Sequence, residues 1–151
     1  MIHYITLRAS AHSTEDKTRV RDALDFFLLN SADKSAKSKK DAVVDSITVQ
    51  GHYTNPITIF STQISRKSDC LAFVRFIRDN MQPGDLDKLR TELSERLDDD
   101  QVFHLRFDKQ AAFLDEVKLS SSSDSIDSRI KIETYPRNRQ KAGRILEGFF
   151  G

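Results

Sequence analysis

Residues 102–113 constrain the fold of this chain more than any other segment. Their first half alternates apolar and polar side chains, which is the pattern of a strand buried on one face. The period is lost after Asp108, a good helix N-cap, and a short helical turn that could run to Glu116 follows. The segment therefore predicts a core strand with a sharp exit that brings Arg106 and Lys109 close together. The apolar positions of this strand are Phe103, Leu105 and Phe107.

Strand periodicity recurs along the rest of the chain. Residues 2–11 alternate apolar and polar side chains and predict a first strand with one polar face. Residues 43–50 alternate apolar and polar side chains, and residues 57–64 are rich in β-branched side chains. Turn residues separate the two segments, so together they predict a hairpin. Residues 129–133 form the last clear strand, and residues 117–119 could form a short one.

Four longer segments carry apolar residues with helical spacing. Ser13 or Thr14 can cap the first helix, and Ser68 can cap the second. The third helix is expected to start near Asp85 and the last near Asn138. The residues expected to face the core are Val20, Ala23, Leu24, Phe27 and Leu28, then Cys70, Phe73, Val74, Ile77 and Met81, then Leu86, Leu89, Leu93 and Leu97, and finally Ala142, Ile145, Leu146 and Phe149.

These elements predict one α+β domain covering residues 1–151. Helices with one apolar stripe and strands with one apolar face imply a two-layer sandwich, with a mainly antiparallel sheet and the helices on one side. The order strand, helix, hairpin, helix occurs in both halves, so the pattern fits either a βαββα duplication or an unrelated α+β domain. Residues 120–128 are predicted as a polar loop and residues 30–40 as a mobile basic loop. The cations of the basic loop are Lys34, Lys37, Lys39 and Lys40.

The charge balance is nearly neutral. The formal net charge is +1 with 24 Lys and Arg residues, so nucleic-acid binding would have to rest on where those cations lie. Cys70 is the one cysteine, which excludes an internal disulfide, and its place on a helix stripe predicts a buried thiol. The chain has no signal-peptide pattern and no apolar run long enough to cross a membrane. We expect a soluble cytoplasmic protein with no membrane partner.

Sequence motifs for catalysis are lacking, and we expect no enzyme activity, no cofactor and no metal ion. The histidines do not have the spacing of a helical metal pair, and there is no glycine-rich phosphate loop or nucleophile elbow. The weakest alternative is a metal-dependent nuclease that uses His12, His52 and the aspartate run of residues 98–100.

A basic polar face of the sheet is the strongest functional signal. If the apolar strand faces all point at the helices, the opposite face collects cations and rings that suit phosphates and unstacked bases. Charged residues that only keep the sheet solvated would give a similar pattern. The predicted face consists of Tyr4, Arg8, Thr48, Gln50, His104, Arg106, Arg129 and Lys131, and further cations open two helices, namely Arg66 and Lys67, and Arg137, Arg139, Lys141 and Arg144.

Several motifs resemble those of a known family. They are residues 1–5 with 12–16, Gly51-His52-Tyr53-x-Asn55-Pro56-Ile57, Leu97-Asp98-Asp99-Asp100, residues 105–112, and Ile132-x-x-Tyr135-Pro136. In this order they look like the small archaeal RNA-binding proteins described as predicted exosome subunits. The resemblance covers nearly the whole chain. It implies an α+β fold similar to that of the large-subunit ribosomal protein that holds 5S RNA, an archaeal cytoplasmic setting, and RNA, exosome or ribosome-related proteins as partners.

Taken together, the sequence favours a non-catalytic RNA-binding protein. Cations would position phosphates, and Tyr4, Tyr53 and His104 would contact bases. The alternative is a protein-interaction adaptor or homodimer that packs through the open sheet face. A face of Arg, Lys and Tyr would favour RNA, and a face of Ile, Val and Phe would favour the adaptor. The RNA-binding candidates are Tyr4, Arg8, Tyr53, Arg66, Lys67, His104, Arg106, Lys109, Arg129, Lys131, Arg137, Arg139 and Lys141.

Overall fold

The computed structural model describes residues 1–30, 44–50, 56–122 and 124–151. Within these ranges the strands are β1 (Ile2–Ala11), β2 (Asp45–Gln50), β3 (Pro56–Ile64), β4 (Val102–Phe107) and β5 (Ile126–Ile132). The helices are α1 (Lys17–Asn30), α2 (Lys67–Asn80), α3 (Pro83–Thr91), α4 (Leu93–Arg96), α5 (Lys109–Phe113) and α6 (Arg139–Phe150). No helix in the described ranges is both long and apolar enough to cross a bilayer.

All strands belong to one antiparallel sheet in the order β2-β3-β1-β5-β4. β1 lies in the middle, where Leu7 is opposite Thr62 of β3 on one side and Ser128 of β5 on the other. β2 and β3 pair as the predicted hairpin. The predicted α+β class with a mainly antiparallel sheet is confirmed.

Aromatic side chains join the helices to one face of the sheet. The rings of Phe27 in α1 and Phe107 in β4 lie 4.8 Å apart, and the ring of Phe73 in α2 lies 6.3 Å from Phe27. At the other end of β4, Phe103 stacks on Phe150 of α6 at 5.9 Å. The predicted stripes of α1 and α2 are buried throughout, because each helix turns one apolar face to the sheet.

One predicted helix cap, Asp108, and the predicted start of the last helix near Asn138 are confirmed. The Asp108 carboxylate accepts a hydrogen bond from the N–H of Ala111 at 2.8 Å, which begins α5 directly after the core strand. The Asn138 side chain accepts one from the N–H of Lys141 at 3.1 Å and begins α6. Both caps satisfy an N–H group that the first helical turn leaves without a partner.

The predicted caps of the first two helices are wrong. Asp16 caps α1 instead of Ser13 or Thr14, since its carboxylate accepts a hydrogen bond from a first-turn N–H at 2.9 Å. α2 begins at Lys67 without a side-chain cap, so Ser68 has no capping role. The third predicted helix begins at Pro83, near Asp85 as expected, but it is divided into α3 and α4, because the chain leaves the helical conformation between them.

The predicted loop over residues 120–128 is wrong in its second part. β5 starts at Ile126, and Ser128 is fully buried between its partners Leu7 and Leu105. Serine at an inward position hides the alternation that continues to Ile132. Its hydroxyl oxygen is buried without a hydrogen-bond partner among the described residues.

The predicted outward phase of β2 is also wrong. Thr48 lies on the helix side of the sheet, where its hydroxyl oxygen is 3.3 Å from that of Thr58, and Gln50 shares this side. Ile47 and Val49 point to the open face instead, opposite Ile59 and Ile57. Every residue of β2 is exposed, so burial does not select which side carries the apolar residues.

The repeated order of elements is not matched by repeated strand pairing. In the first half β2 forms a full ladder with β3. Its counterpart in the second half, residues 117–119, forms isolated bridges with Met81 and Phe107, and the described residues show no ladder between it and β5. The duplication stays a prediction.

We predict that Phe107→Ala lowers the free energy of unfolding by about 3–5 kcal/mol, because the change leaves a cavity beside Phe27 that the sheet cannot close. Urea unfolding followed by circular dichroism measures the change. Leu114→Ala is the control, since Leu114 is 60% exposed. Equal effects of the two changes would contradict a tightly packed contact between α1 and β4.

Candidate nucleic-acid interface

The open face of the sheet has a polar half formed by β1, β5 and β4. Opposite residues of antiparallel strands point to the same side, so the register shows which side chains adjoin. Asp127 lies between Arg8 and Arg106, and Arg129 lies between Thr6 and His104. Tyr4 and Lys131 form the next pair. The structure therefore brings together the predicted residues Tyr4, Arg8, His104, Arg106, Arg129 and Lys131.

The cations on this face differ in whether they already have an ion-pair or hydrogen-bond partner within the protein. The Nε of Arg106 lies 3.5 Å from Oδ1 of Asp127, and the Lys131 ammonium donates to the Asp100 carbonyl at 2.5 Å. Arg8 and Arg129 are exposed and have no ion-pair partner in the described part of the chain. An exposed guanidinium without a carboxylate partner remains available to a phosphate or a base.

His104 is oriented by the aspartate run that precedes β4. Its Nε2 lies 2.8 Å from Oδ2 of Asp98. Burial alone would raise the pKa of Asp98, but hydrogen bonds from His104 and from the N–H groups of Val102 and Asp100 lower that pKa below its usual value. Asp98 therefore stays ionised at neutral pH and fixes the imidazole at the border of the open face.

A depression of about 410 Å³ lies on this face. It is lined by Thr6, Leu7, Arg8, Asp45, Ser61, Thr62, Gln63, Asp127 and Arg129. A smaller hollow of about 130 Å³ adjoins it and shares Asp127 and Arg129. The lining combines guanidinium groups with hydroxyl, amide and carboxylate groups, which can contact both phosphates and base edges.

The two predicted basic clusters, at the starts of α2 and α6, lie at the same end of the sheet, because α2 follows the end of β3 and α6 follows the end of β5. Arg66 and Lys67 are exposed at the start of α2. The hydrogen bond from Tyr135 and the nearby charges of His3 and Lys67 lower the pKa of Glu133 despite slight desolvation. This end of the sheet thus combines Lys67 with a carboxylate that is ionised at neutral pH.

The cations at the start of α6 have different surroundings. Arg139 donates to the carbonyl oxygens of Ser94 and Leu97 at 2.7 and 2.8 Å, so it connects α6 to the end of α4. Arg137 contacts the Asp99 carbonyl and lies 2.9 Å from the Asp100 carboxylate. Lys141 is exposed. Of these cations, Lys141 keeps its charge most accessible to an outside anion.

Lys109 lies at the opposite end of β4 and is held inside the protein. Its side chain is 9% exposed, and Nζ donates to the Ser10 carbonyl at 2.8 Å. The same ammonium lies 3.0 Å from Glu15 and 2.5 Å from Asp124. Lys109 thus connects β1, the start of α1 and the segment before β5, and it does not adjoin Arg106 on the open face.

The described members of the predicted nuclease arrangement lie apart. His12 lies beside Glu15 and Asp124 at the end of β1, whereas the aspartate run of residues 98–100 precedes β4 at the other end of the sheet. The ligand atoms of His12, Glu15 and Asp124 lie within 4.8 Å of one another, as a metal site requires. The Lys109 ammonium already supplies a cation to both carboxylates, so these residues act as an ion-pair cluster.

The other half of the open face is apolar. Ile47 and Val49 of β2 are 58% and 40% exposed, and they adjoin Ile59 and Ile57 of β3. This patch lies at the edge of the sheet and borders the depression through Asp45. The open face thus has the mixed composition of a surface that contacts either bases or another protein.

Sequence reasoning missed Asp127 and Asp45, because the first was assigned to a loop and the second lies in a predicted strand whose open-face residues were taken to be Thr48 and Gln50. The alternation from Ile126 to Ile132 would have placed Asp127 beside Arg129 on the open face. The base-contact candidate Tyr53, the nuclease candidate His52 and the basic loop cations Lys34 to Lys40 lie outside the described residues.

Comparison with known proteins identifies the family. A family model described as RNA binding matches residues 4–132, which is most of the chain. This chain belongs to that RNA-binding family. The match covers β1 from Tyr4 onward and the other four described strands in full, so it includes the residues of the open face from Tyr4 to Lys131.

Archaeal proteins share the sequence and the fold of this chain. RNA-binding protein PAB1135 from Pyrococcus abyssi is 31% identical over 138 residues, covering 91% of this chain and 86% of the relative. The crystal structure of AF2318 from Archaeoglobus fulgidus is 26% identical, with a TM-score of 0.82 and 99% of each chain covered. The structure of Mth689 from Methanothermobacter thermautotrophicus is 26% identical, with a TM-score of 0.78, 100% of this chain and 99% of that one covered.

In this member of the RNA-binding family, we predict that Lys109→Met lowers the free energy of unfolding by about 1–3 kcal/mol, because Glu15 and Asp124 lose the cation they share. Their partial exposure to water keeps the loss below that of a fully buried pair. Urea unfolding of Lys118→Met, which removes an exposed lysine, is the control. Unchanged stability of Lys109→Met would contradict the assigned structural role.

Proposed function

We propose that this protein is a non-catalytic RNA-binding protein that uses the polar half of its open sheet face. The observation that carries the proposal is the pair Arg8 and Arg129, exposed on adjacent strands and without an ion-pair partner in the described ranges. The match to the RNA-binding family and the likeness to PAB1135 support RNA as the ligand.

The proposed contacts divide into two kinds. Arg8, Arg129 and Arg106 position phosphates on the face, while Tyr4 and His104 contact bases. His104 suits this role because Asp98 holds its ring in place. At the end of the sheet, the cations proposed to extend the phosphate path are Arg66, Lys67, Lys131, Arg137 and Lys141.

Two predicted residues are left out of this contact surface. Lys109 is buried in its ion-pair cluster, and Arg139 is held by backbone carbonyls of α4 and the residue after it. Moving either side chain toward RNA would break internal hydrogen bonds to charged groups, each worth about 1.5–3 kcal/mol. Their roles are assigned to stability.

The finer setting of this function is also a proposal. We propose an archaeal cytoplasmic protein that acts in RNA processing, with exosome or ribosome-related proteins as its partners. The archaeal relatives support an archaeal origin. The resemblance to predicted exosome subunits motivates the proposed location, the role in RNA processing and the protein partners. The likeness to the ribosomal protein that holds 5S RNA stays a prediction.

We predict that replacing Arg8 and Arg129 with Gln weakens RNA binding and flattens its dependence on salt. Removing one cation from a phosphate should reduce the log-log salt slope by about 0.7–0.9, because fewer counterions are released. Fluorescence anisotropy with a structured RNA and a single-stranded oligomer at several salt concentrations measures both the affinity and the slope.

Arg75→Gln is the matched control for this experiment. Arg75 is exposed on α2, in the helix layer on the other side of the sheet. A double variant that folds like the parent and keeps its affinity and salt slope would remove the open face from the proposal. Loss of binding in the control would place the contact surface on the helices.

The apolar patch favours a second candidate function, in which two copies pair through β2. β2 is an edge strand without Lys or Pro, which commonly protect such edges. Antiparallel pairing centred on Thr48 would place Ile47 opposite Val49 of the second copy, and Ser46 opposite Gln50. The pairing is self-complementary and would join the two open faces on one side of a continuous sheet.

We predict that the parent protein dimerises and that Ile47→Lys shifts it to a monomer, because the ammonium would interrupt the apolar contact between the copies. Sedimentation velocity over a range of protein concentrations measures the assembly state. Leu71→Lys, on the helix layer, is the control with a similar change at a partly exposed site. A parent protein that stays monomeric at the highest concentration would eliminate this candidate.

A further inference from the structure

The depression on the open face contains a carboxylate among its cations. Asp127 lines both this depression and the adjoining hollow, and its strand neighbours on either side are Arg8 and Arg106. A carboxylate repels phosphates, so a surface that contacted phosphates alone would bind them better without it. Phosphate binding therefore explains the arginines on this face but not the presence of Asp127 among them.

Charge balance explains Asp127 only in part. Its Oδ1 lies 3.5 Å from Arg106, but Arg8 is opposite on the neighbouring strand and forms no ion pair with it. Within the described residues, Oδ2 of Asp127 has no hydrogen-bond partner. An ionised carboxylate only accepts hydrogen bonds, so its open oxygen fits a ligand that presents N–H groups.

Among the RNA bases, guanine presents two adjacent N–H donors on its Watson–Crick edge, N1–H and the 2-amino group. Adenine and cytosine place a single donor group beside a ring-nitrogen acceptor, and uracil places one N–H between two carbonyl oxygens, so an acceptor would face one of the carboxylate oxygens. A carboxylate can accept both guanine donors in parallel, as it does with the two donors of a guanidinium. The Arg8 and Arg129 guanidinium groups beside Asp127 can stack on the base or hold its phosphate.

We propose that this depression is a subsite for an unpaired guanine of RNA, with Asp127 accepting hydrogen bonds from its Watson–Crick edge. The inference rests on the proposed function and adds a base preference to it. The volume of about 410 Å³ lies within the roughly 300–1,000 Å³ of small-ligand sites. The Watson–Crick edge must be free to reach Asp127, so the subsite selects single strands, loops or bulges over duplexes.

Asp45 lines the same depression but does not read this base. The order of strands places it three strand spacings from Asp127, roughly 14 Å at about 4.8 Å per strand. One base cannot reach both carboxylates. Asp45 is therefore a matched control, since it offers the same chemical group on the same face.

The test compares short single-stranded RNAs that differ at one central position, which is guanosine, inosine or adenosine. The parent protein should bind the guanosine oligomer at least about fivefold more tightly than the adenosine oligomer. Inosine keeps N1–H and lacks the 2-amino group, so its oligomer should have intermediate affinity. Fluorescence anisotropy at one fixed salt concentration measures all three.

The variants locate the preference. Asp127→Asn should lose the guanosine preference while still binding the adenosine oligomer, because a carboxamide offers one acceptor and one donor. Asp45→Asn should keep the preference. Circular dichroism and urea unfolding check that both variants fold. If Asp127→Asn does not fold, the comparison of the three oligomers on the parent protein still tests the base preference.

Each contrary result has a separate meaning. Equal affinity of the parent protein for all three oligomers would overturn the guanine subsite and leave the proposed function standing. No binding to any RNA would overturn the proposed function itself. A guanosine preference that survives in folded Asp127→Asn, or an equal decrease in affinity for all oligomers, would overturn the assignment of Asp127 as the acceptor for the base.

Discussion

The antiparallel ladders on both sides of β1 are the constraint on which the rest of the structure depends. β1 comes first in the sequence, yet it pairs with β5 near the end of the chain and with β3 near the middle. Its inward residues Ile5 and Leu7 are fully buried, so a shift of its register would move apolar side chains into water. The ladders thereby fix where every outward residue of three strands lies.

Packing of the helices on one side of the sheet leaves the other side open to solvent. Aromatic contacts such as Phe27 with Phe107 close the helix side, where a truncated Phe costs several kcal/mol. The open side carries arginines whose substitution typically changes stability by only about 0.5 kcal/mol. Residues on this side can therefore be selected for binding with little effect on folding.

Local patterns predicted part of the candidate site. Arg8, Arg106 and Arg129 alternate with apolar residues, and burial of those neighbours forces each arginine outward. The same logic failed for β2, because water reaches both of its sides. It also failed for Asp127, because the serines around it conceal the strand period. Lys109 looked like an open-face cation because its partners Glu15 and Asp124 lie in other segments of the chain, so the residues next to Lys109 give no sign of the ion pairs.

The sequence alone determined the α+β class, the buried stripes of α1 and α2 and the core strand β4, since these follow from periods of apolar residues within one segment. Only the tertiary structure decided which cations are free. Arg139 donates to Ser94 and Leu97, and Lys109 contacts Ser10, while Arg8 and Arg129 stay unpaired within the described ranges. Such pairings depend on distances between segments remote in the chain, which local periodicity does not encode. Strand order likewise placed Asp127 between Arg8 and Arg106, and so created the site for which we propose a base preference.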